Sequence, residues 1–425
     1  MEKQPSLLPH LSTLFLAGLG LRLTYYFIAV GNVGFEQFWQ IAPDTRLYWG
    51  AATQIAAGET LKMCEILWVG PGYIATLAGL QTLFGANPLC PILLNILLGS
   101  LAPVFVYLIG YNLSESRAVA LISGIISAVS LTSVALSSMI LTDQPAFTYF
   151  AACLAAYTYA FRKGSRKWFV IAALMGSLSA LTRPAAQFWA YIFLFLPAIL
   201  PLQPGFDSRL KMWMRAVTTG LIMAVVVLGW STCNYVTQDA FVFATSGTLV
   251  ARLSLLPQVI SQHTPGTNII ELRTQMGIED GHGTDSCNLE HIKAGKHVSE
   301  MFRAHPVWMT SAILGNIRDN IKASNDIFYA QIPQLTWFSG PLNRSMNMWL
   351  GYAIVAISLL GLGFLIIDRN HLAWMLLGGG YAFFTLITGF SYWQGSRLHY
   401  QAEMFWAVLF AYAVHRVFMR RKPAV

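Results

Sequence analysis

The stretch ILWVGPGYIATLAGLQTLFGANPLCPILLNILLGSLAPVFVYLIGYNLS, residues 66–114, carries no charged side chain and is long enough for two membrane crossings at about 20 residues each. Whether it crosses once or twice fixes the side of the membrane on which every later loop lies. Two crossings would put the loop Arg162-Lys163-Gly164-Ser165-Arg166-Lys167 and the segment with Arg209, Lys211 and Arg215 outside the cell, against the positive-inside rule. One crossing is therefore expected. The portion from Pro71 to Gly85 follows a polar loop and is bounded by Gly and Pro, so it reads as a helix lying on the outer interface. The crossing is then Pro88–Tyr111.

Working outward, apolar runs predict further spans at about 8–30, 118–136, 144–161, 168–182, 184–200, 217–234, 346–367, 372–390 and 401–417, about ten in all. The first is too long for a signal-peptide core and has no small-residue cleavage site after it, so it is read as retained. The spans at 168–182 and 184–200 are short, and tilting or a break around a water-filled cavity would accommodate them. The expected fold is an all-α polytopic membrane protein of three regions. These are a transmembrane module over 1–234 with a functional first outer loop (31–87), an extracytoplasmic region over 235–345, and C-terminal helices with a basic tail over 346–425. From Gln258 to His305 the pattern suggests irregular polar structure with short helices, such as Leu289–Arg303. No internal repeat is visible, which weighs against an inverted-repeat transporter.

Composition agrees. The chain is 55% hydrophobic and 11% charged, which excludes a soluble protein. Its net charge of +8 lies in short clusters between apolar runs, so topology explains it and no nucleic-acid partner is implied. Five cysteines stand singly, without zinc or redox spacing. Only Cys64 and Cys287 fall in the outer loops; a disulfide and two unrelated thiols are equal readings.

The topology brings Asp44, Asp143, Arg183 and Arg397 to the outer membrane boundary, although they are far apart in sequence. Ionisable groups at such depth are costly and mark candidate sites. Each also has a plainer reading. Asp44 and Asp143 each precede a predicted helix and are placed to cap it. Arg183 and Arg397 are placed to reach lipid headgroups, while a guanidinium is equally the fork that fits a lipid-linked phosphate. Tyr48, four residues after Asp44, shares its helix face, where a phenol can hold a phosphate oxygen or a sugar hydroxyl. Arg22 is the one charge plainly inside a span, and pairing with Asp44, a lipid phosphate or an outward reach all stand open. His282, Asp285, Cys287 and His291 form a local set, but their spacing fits no strong zinc motif and a solvated loop is preferred.

The order of short motifs resembles the GT-C membrane glycosyltransferases. It runs Pro43-Asp44-x-x-x-Tyr48, Gly70-Pro71-Gly72-Tyr73, Leu141-Thr142-Asp143, Leu181-Thr182-Arg183-Pro184, Asn234-Tyr235 with Phe241–Ser246, and Arg397-Leu398-His399-Tyr400. The likeness is to bacterial members akin to protein O-mannosyltransferases and the lipid A aminoarabinose transferase, and it extends from residue 1 to about 415. The resemblance implies two interfacial helices in the first outer loop and an inverting sugar transfer from a polyprenyl-phosphate donor on the extracytoplasmic side of the cell (inner) membrane. It makes the acceptor a lipid, glycan or protein, Asp44 the general base and Asp143 the second acid. Substrate contacts would come from Arg46, Tyr48, Tyr73, Arg183, Arg397, His399 and Tyr400. Some relatives place a divalent cation between two such acids; no resident cofactor is assigned here. Asp143 stands where many relatives have glutamate, and His399-Tyr400 departs from their usual context. The competing class is a transporter or flippase of polyprenyl-linked glycans, which would place its ionisable residues near the bilayer midplane.

Overall fold

The computed structural model describes residues 6–42, 44–59, 69–203, 205–275, 287–321, 341–391 and 397–418. Among these residues the chain is helical throughout, with no strand. Helices of ten or more residues are numbered here, together with the seven-residue helix Leu131–Ser137. They are α1 (Leu8–Val33), α2 (Thr45–Ala56), α3 (Pro71–Phe84), α4 (Leu89–Ser114), α5 (Arg117–Val129), α6 (Leu131–Ser137, the continuation of α5), α7 (Asp143–Lys163), α8 (Arg166–Thr182), α9 (Trp189–Ile199), α10 (Arg209–Gln238), α11 (Cys287–Ala304), α12 (Pro306–Ile321), α13 (Pro341–Ile367), α14 (His371–Ile387) and α15 (Glu403–Phe418). A helix occupies every range read from the sequence as a span. Among the described residues five, within α1, α4, α10, α13 and α14, are long and apolar enough to cross a bilayer by themselves, and α5 with α6, bent by 53°, brings the number to six if the pair is one span. The chain is a multi-pass membrane protein.

The centre of the bundle is α7, buried on nearly every side, with α8 and α4 packed along it. Its Ala-rich sequence permits this, because small side chains let neighbouring helices approach closely. At 21 residues α7 is about 30 Å long, so its two ends lie at opposite ends of the bundle. The Lys163 end gathers the basic loops: Arg162 pairs with Glu115, Arg215 donates to the Gly164 carbonyl, and Arg416 pairs with Asp368. The Asp143 end gathers the candidate site. That segregation is the one the charge argument requires.

Helix α3 does not carry the chain from one end to the other. Tyr73, in its first turn, accepts a 2.9 Å hydrogen bond from Asn95 in the second turn of α4, so both helices begin at the Asp143 end. Gly70 and Gly72 permit close contact there. A Cβ on Gly72 would lie 2.9 Å from the Leu181 carbonyl carbon at the end of α8, and Gly70 has φ +86°, open to glycine at little cost.

Between α8 and α9 the helix breaks at Arg183, whose backbone turns extended (φ −138°, ψ 113°). The cause is local, since Pro184 disfavours helical backbone in the residue before it. A 3-10 turn over Pro184–Phe188 then leads into α9. The two short predicted spans are thus two helices separated by a break, with Arg183 on the joint.

The central region is helical at 246–263, in α11, which contains the helix read from the sequence at Leu289–Arg303, and in α12. Leu255, Leu256, Val259, Met309 and Ala312 give it a small apolar cluster of its own, and Asn316 and Asn320 tie α12 to the carbonyls of Gly389 and Thr388. Arg22 neither reaches lipid nor bonds Asp44; it is fully buried and donates to Ser137 Oγ, Ser133 Oγ and the Gly18 carbonyl. The Cys64–Cys287 question and the His282, Asp285, Cys287, His291 set lie outside the described residues and side chains.

Candidate active site

Asp44 occupies the N-cap of α2, and Thr45 anchors that helix start by donating to the Ile140 carbonyl at 3.3 Å. The Asp44 carboxylate makes no cap bond; its Oδ2 accepts from Arg397 Nη2 at 2.6 Å. Asp143 is the first residue of α7 and likewise caps nothing through its side chain. Its Oδ1 accepts from Arg183 Nη1 at 2.7 Å, and its Oδ2 accepts from Arg397 Nε at 3.2 Å and lies 3.2 Å from Arg397 Nη2. The capping readings of both aspartates therefore yield to ion pairing. A carboxylate gains more from a guanidinium in a half-dry site than from one backbone amide.

The four charges form one neutral cluster of two carboxylates and two guanidinia drawn from four separate segments. Asp143 is fully buried, whereas Asp44 keeps 26% of its side chain exposed. The structure thus gives the two acids different access. Burial alone would lower the Arg397 guanidinium, but the fields of Asp143 and Asp44 outweigh it and raise it above its ordinary value.

Beneath the cluster lies an aromatic floor. Tyr48 is buried and meets Tyr73 edge-on at 5.6 Å between ring centres. Burial pushes its hydroxyl up to about 12, with the Asp44 charge adding and Arg397 opposing. Burial raises the Tyr73 hydroxyl as well. Asn95 braces this floor by donating to both Tyr73 and the Met139 carbonyl.

The remaining predicted residues are placed differently. His399 stands 3.2 Å from Thr385 Oγ1, and burial lowers it to about 4, so at neutral pH it is an uncharged group rather than a cation for phosphate. Tyr400 turns into the bundle, stacked on Phe147 at 4.4 Å, with its hydroxyl donating to Gln144 Oε1 at 2.7 Å. Arg46 is exposed on α2. Three residues that sequence reasoning missed hold the cluster from behind. Gln401 donates to the Asp143 carbonyl at 3.0 Å, and Ser133 joins Arg22, Gln144 and Tyr400 in one buried polar network. For two of them the signal was adjacency, since Gln144 follows Asp143 and Gln401 follows the final motif; Ser133 had none.

Residues 70–238 match the sequence profile of the family described as dolichyl-phosphate-mannose-protein mannosyltransferase, less than half of the chain. Two solved structures match nearly all of it. One is an archaeal oligosaccharyltransferase, AglB from Archaeoglobus fulgidus, in complex with an inhibitory peptide and a dolichol-phosphate. Its TM-score is 0.56 at 16% identity over 96% of this chain. The fold is that of the GT-C glycosyltransferases. The second structure, the Archaeoglobus fulgidus oligosaccharyltransferase complex with Zn and sulfate, gives the same GT-C framework with TM-score 0.55 at 14% identity over 96% of this chain. The chain spans about half the length of these structures, 50% and 49%. Among curated proteins no sequence matches significantly. Among the described residues no three His, Cys, Asp or Glu side chains are grouped to hold a metal ion.

Proposed function

We propose that this protein transfers a sugar from a polyprenyl-phosphate-linked donor to an acceptor hydroxyl on a lipid, glycan or protein, with inversion, at the extracytoplasmic face of the cell (inner) membrane. The observation that carries the reading is the convergence of Asp44, Asp143, Arg183 and Arg397 at the end of the bundle opposite the basic loops. Attack on an anomeric carbon needs a base for the acceptor proton on one side and cations for the departing phosphate on the other. Asp44 is the base: it is the accessible acid, and its pair with Arg397 engages only Oδ2, which leaves Oδ1 for the proton. Asp143, wholly buried between two guanidinia, orients them.

A guanidinium has five N–H donors. Arg183 spends one on Asp143 and Arg397 spends its Nε and Nη2 donors on the two acids, so each retains donors for a phosphate. The family match and the dolichol-phosphate held by the GT-C neighbour support a lipid-phosphate donor. Tyr48 and Tyr73 form the floor of the site, Arg46, exposed two residues after Asp44, is assigned a substrate contact, and His399 and Tyr400 fix the segment that carries Arg397. On this reading residues 1–234 and 346–425 build the site jointly, and 235–345 forms the extracytoplasmic region.

The test is transfer from a radiolabelled polyprenyl-phosphate hexose or pentose to an extracted lipid or protein fraction by purified protein, with the anomeric configuration of the product determined. Lipid translocation in vesicles without transfer would establish the transporter class instead. Cysteine placed at 59 and at 167, both exposed, should react with an impermeant reagent from outside and from inside respectively.

A further inference from the structure

We infer that Arg397 stands where a divalent cation would bridge Asp44 and Asp143, so that the chain supplies its own bridging cation and keeps a latent metal site closed. Both carboxylates aim an oxygen at one atom: Arg397 Nη2 lies 2.6 Å from Asp44 Oδ2 and 3.2 Å from Asp143 Oδ2. A hard divalent ion takes carboxylate oxygens at about 2.0–2.6 Å, so an ion bridging this pair would have to sit in the space the nitrogen fills. The donor set does not fit a resident metal for that reason.

The charge balance points the same way. Two carboxylates against Arg183 and Arg397 sum to zero, so an added divalent ion would leave the cluster with two unmatched positive charges in a site where only 17–26% of three side chains, and none of Asp143, meets water. The arginine is also held. Its Nε closes the fork on Asp143, and Gln401, four residues on, is bonded to the Asp143 carbonyl, so the segment carrying it is clamped to the start of α7. On the glycosyltransferase reading one group does both tasks of a bridging ion, since the guanidinium binds the acids along one edge and offers Nη1 to the phosphate along the other. The exclusion of metal does not depend on that reading.

The test is Mn²⁺ titration of the EDTA-treated full chain in detergent, followed by the electron paramagnetic resonance signal of free Mn²⁺. Wild type and Arg397→Lys, which keeps a cation in place, should take up none at this site up to about 1 mM. Arg397→Ala should bind one ion. Because Arg183 stays on Asp143 Oδ1 and halves the negative charge, the expected Kd is weak, on the order of 10⁻⁴–10⁻³ M. The double change Arg397→Ala with Asp44→Asn should lose it. If Arg397→Ala does not fold, Arg397→Gln takes its place. The inference is overturned by wild-type Mn²⁺ uptake that Asp44→Asn abolishes, or by a folded alanine or glutamine variant that binds nothing. No sugar transfer is needed for either result, so this inference and the proposed activity stand or fall separately.

Discussion

Replacing Asp143 by asparagine keeps the shape of the side chain and removes the charge on which Arg183 and Arg397 converge at 2.7 and 3.2 Å. An amide offers one oxygen and one NH₂, so one guanidinium must face a donor. Breaking a buried ion pair from one side costs about 3–5 kcal/mol. Here the two arginines keep 22% and 17% of their side chains exposed, and water softens the loss to about 3 kcal/mol, the low end of that range. Asp44→Asn loses a single partner at a site with 26% exposure, worth about 1 kcal/mol. In turnover the order reverses in meaning, because removal of a general base costs about 10²–10⁴-fold, or about 3–5 kcal/mol of barrier. Asp44→Asn should therefore unfold close to wild type and be inactive, whereas Asp143→Asn should unfold earlier and be inactive as well. Thermal unfolding in one detergent reads the first quantity, at roughly 2–4 °C or less per kcal/mol for a chain of this size. Initial transfer rates read the second. Equal unfolding temperatures for the two variants would refute the burial argument, and normal transfer by Asp44→Asn would refute its role as base.

Arg183→Lys and Arg397→Lys keep the charge and lose the fork, so the KM for the lipid-phosphate donor should rise more than that for the acceptor; unchanged donor dependence in both would move the phosphate to other groups. Gly72→Ala forces a methyl to within 2.9 Å of the Leu181 backbone, two residues before Arg183, and should cost about 1–3 kcal/mol by overpacking while raising the donor KM; an unchanged unfolding temperature would contradict the contact. Tyr400→Phe removes the hydroxyl that bonds Gln144 and helps fix the Arg397 segment, and should cost about 1–3 kcal/mol while raising the donor KM, read by unfolding and by transfer kinetics. His399 is lowered to about 4 in the folded chain against about 6.5 when unfolded, so the unfolded state binds more protons between those values. Its contribution to stability is complete above about 6.5 and is lost as pH falls toward 4. His399→Gln should flatten the unfolding temperature across that window, and an unaltered profile would count against the burial of the ring.

The ranges of the membrane helices and the end of the bundle that holds the four charges were legible because both follow from one-dimensional quantities. Apolar runs set span lengths, and the basic loops at 162–167 and 209–215 set parity. The partners were not legible, because Arg397 meets Asp143 across 254 positions and Asp44 across 353, and helix packing alone decides such distances. Capping readings for Asp44 and Asp143 failed for the same reason: local sequence shows the helix start that an aspartate precedes, but not the guanidinium that outbids it. The partners of Arg22 and Tyr400 were hidden in the same way. The sequence puts Arg22 inside a span with its partner open, and the resemblance makes Tyr400 a substrate contact, whereas Ser133, Ser137 and Gln144, unremarkable in sequence, supply the acceptors that hold both inside the bundle.

The positions of those buried partners explain how a site assembled from distant segments stays in register. Gln144 and Asp143 are neighbours at the start of α7, and Tyr400 and Gln401 are neighbours before α15. The first of each pair is bonded to the second of the other's segment or to its carbonyl, Tyr400 to Gln144 and Gln401 to Asp143. Two bonds between two adjacent pairs fix both translation and rotation of one chain segment on the other. Arg397, three residues before Tyr400, therefore reaches the aspartates from a fixed base rather than from a free loop. Arg22 extends the same brace into the membrane by holding Ser133, which touches both Gln144 and Tyr400. In lipid, where an unbonded polar group has no water to turn to, such a network favours one arrangement over any slipped alternative. That is the physical ground for expecting the charges at the surface of the cluster to keep their spacing while substrate enters.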